Sequence, residues 1–203
     1  MFDLSLHQLL IRAGACILIT AIHGLTLAAI ALALGDRGPQ FDGRLTANPL
    51  RHLDFIGTPM MILFQLGWIR PIAIDPSELR IGRLGLIVCV LGSIATTLAA
   101  VGLLLGLRIP ALKYLPQAFV PTVIATLNES VAMGTWFAVC NLVPLPPLTG
   151  MHLLVAVRPS LAPLLTKYQL YAALVLAALT LAGVVQSVLQ PVRDAVVGLL
   201  PGW

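Results

Sequence analysis

Few side chains in this 203-residue chain can do chemistry. His23 stands in Ile22-His23-Gly24-Leu25-Thr26-Leu27-Ala28, inside a long apolar run. His52 and Asp54 stand in a Gly- and Pro-rich stretch, and Asn128 and Glu129 interrupt another apolar run. Asn141 opens Asn141-Leu142-Val143-Pro144-Leu145-Pro146-Pro147-Leu148-Thr149-Gly150, with His152 two residues beyond. An imidazole can ligate a metal or pass a proton, so His23, His52 and His152 are the metal candidates. A lone imidazole cannot hold zinc against water, because zinc sites draw their affinity from several converging ligands. The plainer reading makes His23 a hydrogen-bond partner of a neighbouring carbonyl or hydroxyl, His52 and Asp54 fixtures of their loop, and His152 an interfacial polar residue. Glu129 is different. A carboxylate inside a hydrophobic segment costs about 2.5–3.5 kcal/mol on insertion, so it needs a hydrogen bond within a bundle, a partner subunit or the membrane surface. With Asn128 and Asn141 it is a candidate for a polar centre or a partner contact.

The elements that must position these groups are membrane helices. Hydrophobic residues make up 59% of the chain and charged residues 10%, with a mean hydropathy of +0.98, against about 45–50% and 25% in soluble domains. The charge-free stretches Ala13 to Gly35, Leu84 to Leu107, Tyr114 to Asn128, Ser130 to Val157 and Tyr168 to Val192 include several with the roughly 20 apolar residues a spanning helix needs. A shorter run, 55–69, spans partly or re-enters. The first segment is too long for a signal core and is expected to stay as a helix. Between it and the next long run, Gly35, Gly38, Pro39, Gly43, Pro49 and Gly57 break any helix, predicting an interfacial or re-entrant loop or hairpin. Arg108 and Pro110 end one helix, Pro116 and Pro121 precede the next, and a last helix is expected over about 168–189, followed by Pro191 and an amphipathic tail with Trp203 as an interface anchor.

The fold expected is therefore an all-α polytopic bundle of about 4–6 transmembrane segments forming a single domain, residues 1–203, with no separate soluble part. The net charge of +4 comes from scattered basic residues, which fits membrane-flanking charge and excludes a nucleic-acid partner. A five-span arrangement divides the Lys and Arg residues six against six, leaving orientation open. Cys16, Cys89 and Cys140 form no Cys-x-x-Cys pattern and read as buried free thiols.

Four segments occur in a telling order: His23 twelve residues before Gly35-Asp36; Gly43-Arg44-Leu45-Thr46-Ala47-Asn48-Pro49-Leu50-Arg51-His52-Leu53-Asp54-Phe55-Ile56-Gly57; Gly67-Trp68-Ile69-Arg70-Pro71; and Asn141 through Gly150. This set resembles the site-2 protease family of intramembrane zinc metalloproteases, in its small bacterial branch without PDZ or CBS domains, over about Ala13 to Leu189. In that family a His-Glu-x-x-His helix supplies two zinc ligands and a general base, and a later Leu-Asp-Gly supplies the third ligand. The resemblance places His23 at the first histidine, Gly24 at the glutamate, Leu27 at the second histidine and Thr149 at the aspartate. One of the four types survives. Losing the base alone costs about 10²–10⁴ in rate. Gly92-Ser93-Ile94-Ala95-Thr96 also departs from a Gly-x-x-Asn motif that the family often carries on its third helix.

The resemblance thus implies a scaffold with degenerate catalytic positions, and no catalytic residue, metal or other cofactor is expected. The expected role is an accessory or structural subunit, or a binder of other transmembrane segments, whose partners are membrane lipids and the helices of an unidentified membrane complex. Two alternatives stand beside it. One is an active zinc protease with a non-standard metal site drawing on His23 with His52 or His152; the other is a small transporter or channel component using Glu129 and His23. The family's small bacterial branch implies the bacterial inner membrane.

Overall fold

A capping box starts the first helix: the Ser5 hydroxyl accepts from Gln8 N at 3.2 Å while Gln8 Oε1 accepts from Ser5 N at 3.0 Å. The computed structural model describes residues 4–200. In chain order its helices are α1 (Leu6–Leu34), α2 (Gly38–Phe41), α3 (Gly57–Phe64), α4 (Arg83–Gly106), α5 (Arg108–Tyr114), α6 (Val120–Leu142), α7 (Met151–Val157), α8 (Ala162–Lys167), α9 (Gln169–Leu181) and α10 (Val184–Gly198), with 3-10 turns at Pro49–Arg51 and Pro159–Leu161. Among the described residues the only β-pairing is a single antiparallel bridge between Leu53 and Ile69.

Three helices are the frame. Ion pairing of Arg12 with Glu129 near one end, and an edge-on contact of the His23 and Phe137 rings at 4.9 Å further along, make α1 and α6 parallel. The α4 helix runs opposite, since Gly92 faces Ile30 and Thr97 meets His23. All three close at Gly134, where a β-carbon would come within 2.5 Å of Val101 Cγ2 and 2.7 Å of Ile19 Cδ1. Only hydrogen fits there, and small residues of this kind let membrane helices approach closely. Ile19, Leu27, Ala31, Leu86, Cys89 and Phe137 fill the core around this contact.

The segment between α1 and α4 enters the bundle and turns back. Arg80 N donates to Leu34 O at 2.7 Å, so the excursion starts and finishes at the same end of α1. Its eight-residue α3 is about 12 Å long, too short to cross. At its apex the Arg12 guanidinium reaches Leu63 O at 3.1 Å, and Gln65 takes the left-handed conformation, φ 60°, that ends the helix. On the way back the backbone is met by side chains: Asn141 Nδ2 donates to Gly67 O, His152 Nε2 to Ile72 O, and Asp36 accepts from Asp75 N. Non-helical backbone survives at membrane depth only where protein satisfies it in this way.

The count of spans is lower than the composition suggests. Three helical stretches, Leu6–Leu34, Arg83–Tyr114 and Val120–Leu142, are long and apolar enough to cross; a fourth exists if Pro159–Lys167 and Gln169–Leu181, bent by 71°, count as one. The helix expected over 168–189 is two, because Gly183 adopts φ 76° and turns the chain between α9 and α10. Pro191, expected to stop the helix, lies inside α10 on an exposed position. Trp203 lies outside the described residues.

Re-entry also corrects the charge division. With residue 80 back beside residue 34, Arg70, Arg80 and Arg83 join Arg37, Arg44 and Arg51 at one end of the bundle, opposite Arg12.

Candidate functional site

Beside the α1–α4–α6 contact the buried residues turn polar, with Thr20, His23, Ser93, Thr97, Asn141 and Thr149 all enclosed. His23, on α1, has no exposed surface. Its Nδ1 lies 3.0 Å from Thr97 Oγ1 and its Nε2 lies 3.0 Å from Thr149 Oγ1. The proton positions follow from the network. Thr97 donates its hydroxyl to Ser93 O at 2.8 Å, so it can only accept from His23, which places the ring proton on Nδ1. Nε2 is then a bare acceptor, and it is the nearer of the two acceptors facing the Thr149 hydroxyl, at 3.0 Å against 3.3 Å for Asn141 Oδ1. Thr149 is itself fixed, its N–H donating to Asn141 Oδ1 at 3.2 Å, while Asn141 Nδ2 holds Phe137 O and Gly67 O. Both nitrogens of a neutral imidazole are thus satisfied by hydroxyls.

The positions that the resemblance aligns with the glutamate and the second histidine are filled rather than open. Leu27 is packed in the main core. At Gly24 a β-carbon would stand 2.1 Å from His52 Nδ1, so the His52 ring occupies the room of a residue-24 side chain. His52 donates Nε2–H to Thr46 O at 2.9 Å, and its Nδ1 is buried without a partner. Burial, ahead of the opposing bond to Thr46, holds this imidazole below the usual histidine range.

A catalytic zinc needs about three protein ligands with an open position. The groups facing His23 are two threonine hydroxyls, and the Nε2 lone pair that a metal would use holds the Thr149 proton. His152 is separate, donating Nε2–H to Ile72 O at 3.1 Å. Among the described residues no three His, Cys, Asp or Glu side chains converge. The donor set does not fit zinc.

The remaining candidates scatter. Asp54 Oδ1 accepts from Ile56 N, Gly57 N and Trp68 Nε1, starting α3 and anchoring the returning segment. Glu129 pairs with Arg12 and Gln65, a hydrogen-bonded setting within the helix bundle. Asn128, expected near a polar centre, is exposed and faces outward instead, because the α6 face carrying Leu127, Ser130 and Val131 packs inward. Asn141 is central. Sequence reasoning missed Thr97 and Ser93: hydroxyls in apolar helices routinely bond the carbonyl four residues back, and nothing local marks the one that also meets a histidine. Arg12 did carry a signal, as a cation within reach of an apolar segment that had to match Glu129.

Beyond this knot a cleft of about 440 Å³ opens between the extended stretch Pro71 to Pro76 and α7, α8 and α9, with Ile74, Val155, Leu165 and Gln169 in its walls. Asp75 stands in it; hydrogen bonds from Ser77 hold its carboxyl below the usual carboxylate range. Inward from the cleft, beside Leu27, Thr149 and His152, the free space shrinks to about 10 Å³, the lower limit for a single water.

No family model matches the chain, and no solved structure matches it. Over 178 residues, 86% of this chain and 81% of the other, it is 29% identical to a protein of Bacillus subtilis (strain 168) named "Putative zinc metalloprotease YwhC". The similarity supports the metalloprotease resemblance of the motifs across most of the chain, and the apolar helices mark an integral membrane protein.

Proposed function

We propose that this chain is a catalytically inactive member of the site-2 protease family, with that family's helical arrangement, and that it serves in a bacterial inner membrane as an accessory subunit or holder of other transmembrane segments. The observation that carries this reading is the saturation of His23 by Thr97 and Thr149, together with the filling of the Gly24 and Leu27 positions. A former metal and water site has become hydrogen-bonded and packed protein.

The holding role draws support from α4. Its buried face carries Leu86, Val90, Ser93, Thr97 and Val101, whereas Ala95, Ala99, Gly102 and Gly106 form a stripe on the side turned away from those residues, where Gly102 and Gly106 meet nothing within 4 Å. Their spacing of four, three and four residues keeps them on one helical face. Such a stripe suits close approach of a second membrane helix.

The test is metal content together with copurification. Purified full-length protein equilibrated with zinc and desalted is expected to retain far less than one zinc per chain, and affinity capture from native membranes is expected to yield a defined membrane partner. Stoichiometric zinc, or cleavage of a transmembrane peptide that a chelator abolishes, would establish the active-protease reading instead.

A further inference from the structure

We infer that His52 is the stopper of the former centre: its imidazole fills the side-chain place of position 24, and a glycine at 24 is the condition for its sitting there. The inference rests on the closed-centre reading above and names the residue that closes it from the loop side. Three ring atoms crowd the site of an added β-carbon, Nδ1 at 2.1 Å, Cγ at 2.5 Å and Cε1 at 2.8 Å. Real β-carbons do not approach that closely, so any side chain at 24 requires the ring to shift.

The ring has little freedom to step aside. His52 N donates to Pro49 O at 2.8 Å, its carbonyl accepts from Arg70 N at 2.8 Å, and Nε2–H donates to Thr46 O at 2.9 Å. Around it, Arg44 joins Arg51 O and Pro71 O, tying both sides of the loop together. This frame presses the imidazole onto Gly24 although Nδ1 is left buried with no partner. Loop and helix are therefore interlocked at one residue pair, 28 positions apart in the chain.

The test is a four-variant cycle on the full chain in detergent: wild type, Gly24→Ala, His52→Ala and the double variant, read by thermal unfolding and by diethyl pyrocarbonate labelling with mass spectrometry. Wild-type His52 is expected to resist labelling while exposed His7 reacts. Gly24→Ala is expected to lower the midpoint by roughly 5–10 °C and to make His52 reactive while His152 stays protected. Adding His52→Ala should recover at least half of that loss. If Gly24→Ala does not accumulate, restored accumulation of the double variant supports the pair, and failure to restore it counts against it. A harmless Gly24→Ala, additive effects, or labelling of wild-type His52 at the rate of His7 would overturn the inference. Zinc retention by the wild type separates the two readings: it would sink the closed centre, whereas an uncoupled pair sinks only the stopper.

Discussion

Glu129 Oε2 stands 3.1 Å from Arg12 Nε and 2.7 Å from Gln65 Nε2, while Arg12 Nη1 donates to Leu63 O. One acid thus ties α1, α6 and the apex of the re-entrant segment together. Arg12 caps carbonyls at the end of α3 that would otherwise face the membrane interior, and Glu129 neutralises the cap. The side chains are 16% and 25% exposed, between the surface and buried limits for ion pairs. Glu129→Ala should therefore cost roughly 1–3 kcal/mol. Thermal unfolding of the single and double variants with Arg12→Leu would measure the coupling; purely additive losses would show that the pair contributes nothing.

The hydroxyl clamp on His23 predicts a graded response. Thr149→Val keeps the shape and removes the donor to Nε2, leaving a buried acceptor unpaired at about 1–3 kcal/mol. Thr149→Ser keeps the hydroxyl and should cost markedly less. Unfolding midpoints in one detergent compare them, and equal losses for Val and Ser would refute the hydrogen bond as the cause.

His52 gives stability a pH dependence of definite sign. Its folded pKa is lowered by burial below the 6.5 of a free histidine. Below about 6.5 the unfolded chain therefore binds a proton that the folded chain refuses. Its contribution is complete above that value and is lost as pH falls toward the folded pKa. Unfolding midpoints at pH 7.5 and 5.5 should drop in the wild type and drop less in His52→Gln; parallel drops would exclude His52 as the source.

Orientation follows from the re-entry. Arg37, Arg44, Arg51, Arg70, Arg80, Arg83, Arg158 and Lys167 gather at the end of the bundle where α1 finishes, against Arg12, Arg108 and Lys113 at the other, while Arg193 lies over the Trp136 ring on α6. From this asymmetry the positive-inside rule predicts that the first group faces the cytoplasm. Ser77→Cys should react with a membrane-impermeant maleimide only in inverted vesicles, and Gln117→Cys only in intact cells. The reverse pattern would invert the topology. The native cysteines are buried and give little background.

Gly102 separates folding from association. Open space surrounds it, so Gly102→Leu should leave the unfolding midpoint within about 1 °C, in line with an exposed helix substitution. The same change should strip a membrane partner from affinity-captured protein, as seen by mass spectrometry. Undiminished capture would move the interface off this face.

Much of the layout was legible in the chain. The start of α4 after Gly82 and the end of α6 before the Pro144 break were legible because Pro and Gly act locally on the backbone, whereas Arg108 and Pro110, expected to end a helix, lie inside the single long stretch Arg83–Tyr114. The fate of residues 55–69 was not, since a short apolar run is equally compatible with a partial span and a hairpin. Gly183 was passed over in the same way. An isolated glycine inside an apolar run is tolerated in a helix, and only its left-handed conformation, set by the packing of α9 and α10, makes it a corner.

By itself the sequence determined the solvent, the helical class and which residue types stand at the four positions the resemblance marks, because hydropathy and residue identity are properties of single segments. Tertiary structure alone decided what surrounds them. Thr97 and Thr149 meet His23 from 74 and 126 residues away, His52 covers Gly24, and Arg12 finds Glu129 across 117 residues. Such meetings depend on the register and facing of packed helices, which no local pattern encodes when every neighbouring residue is equally apolar.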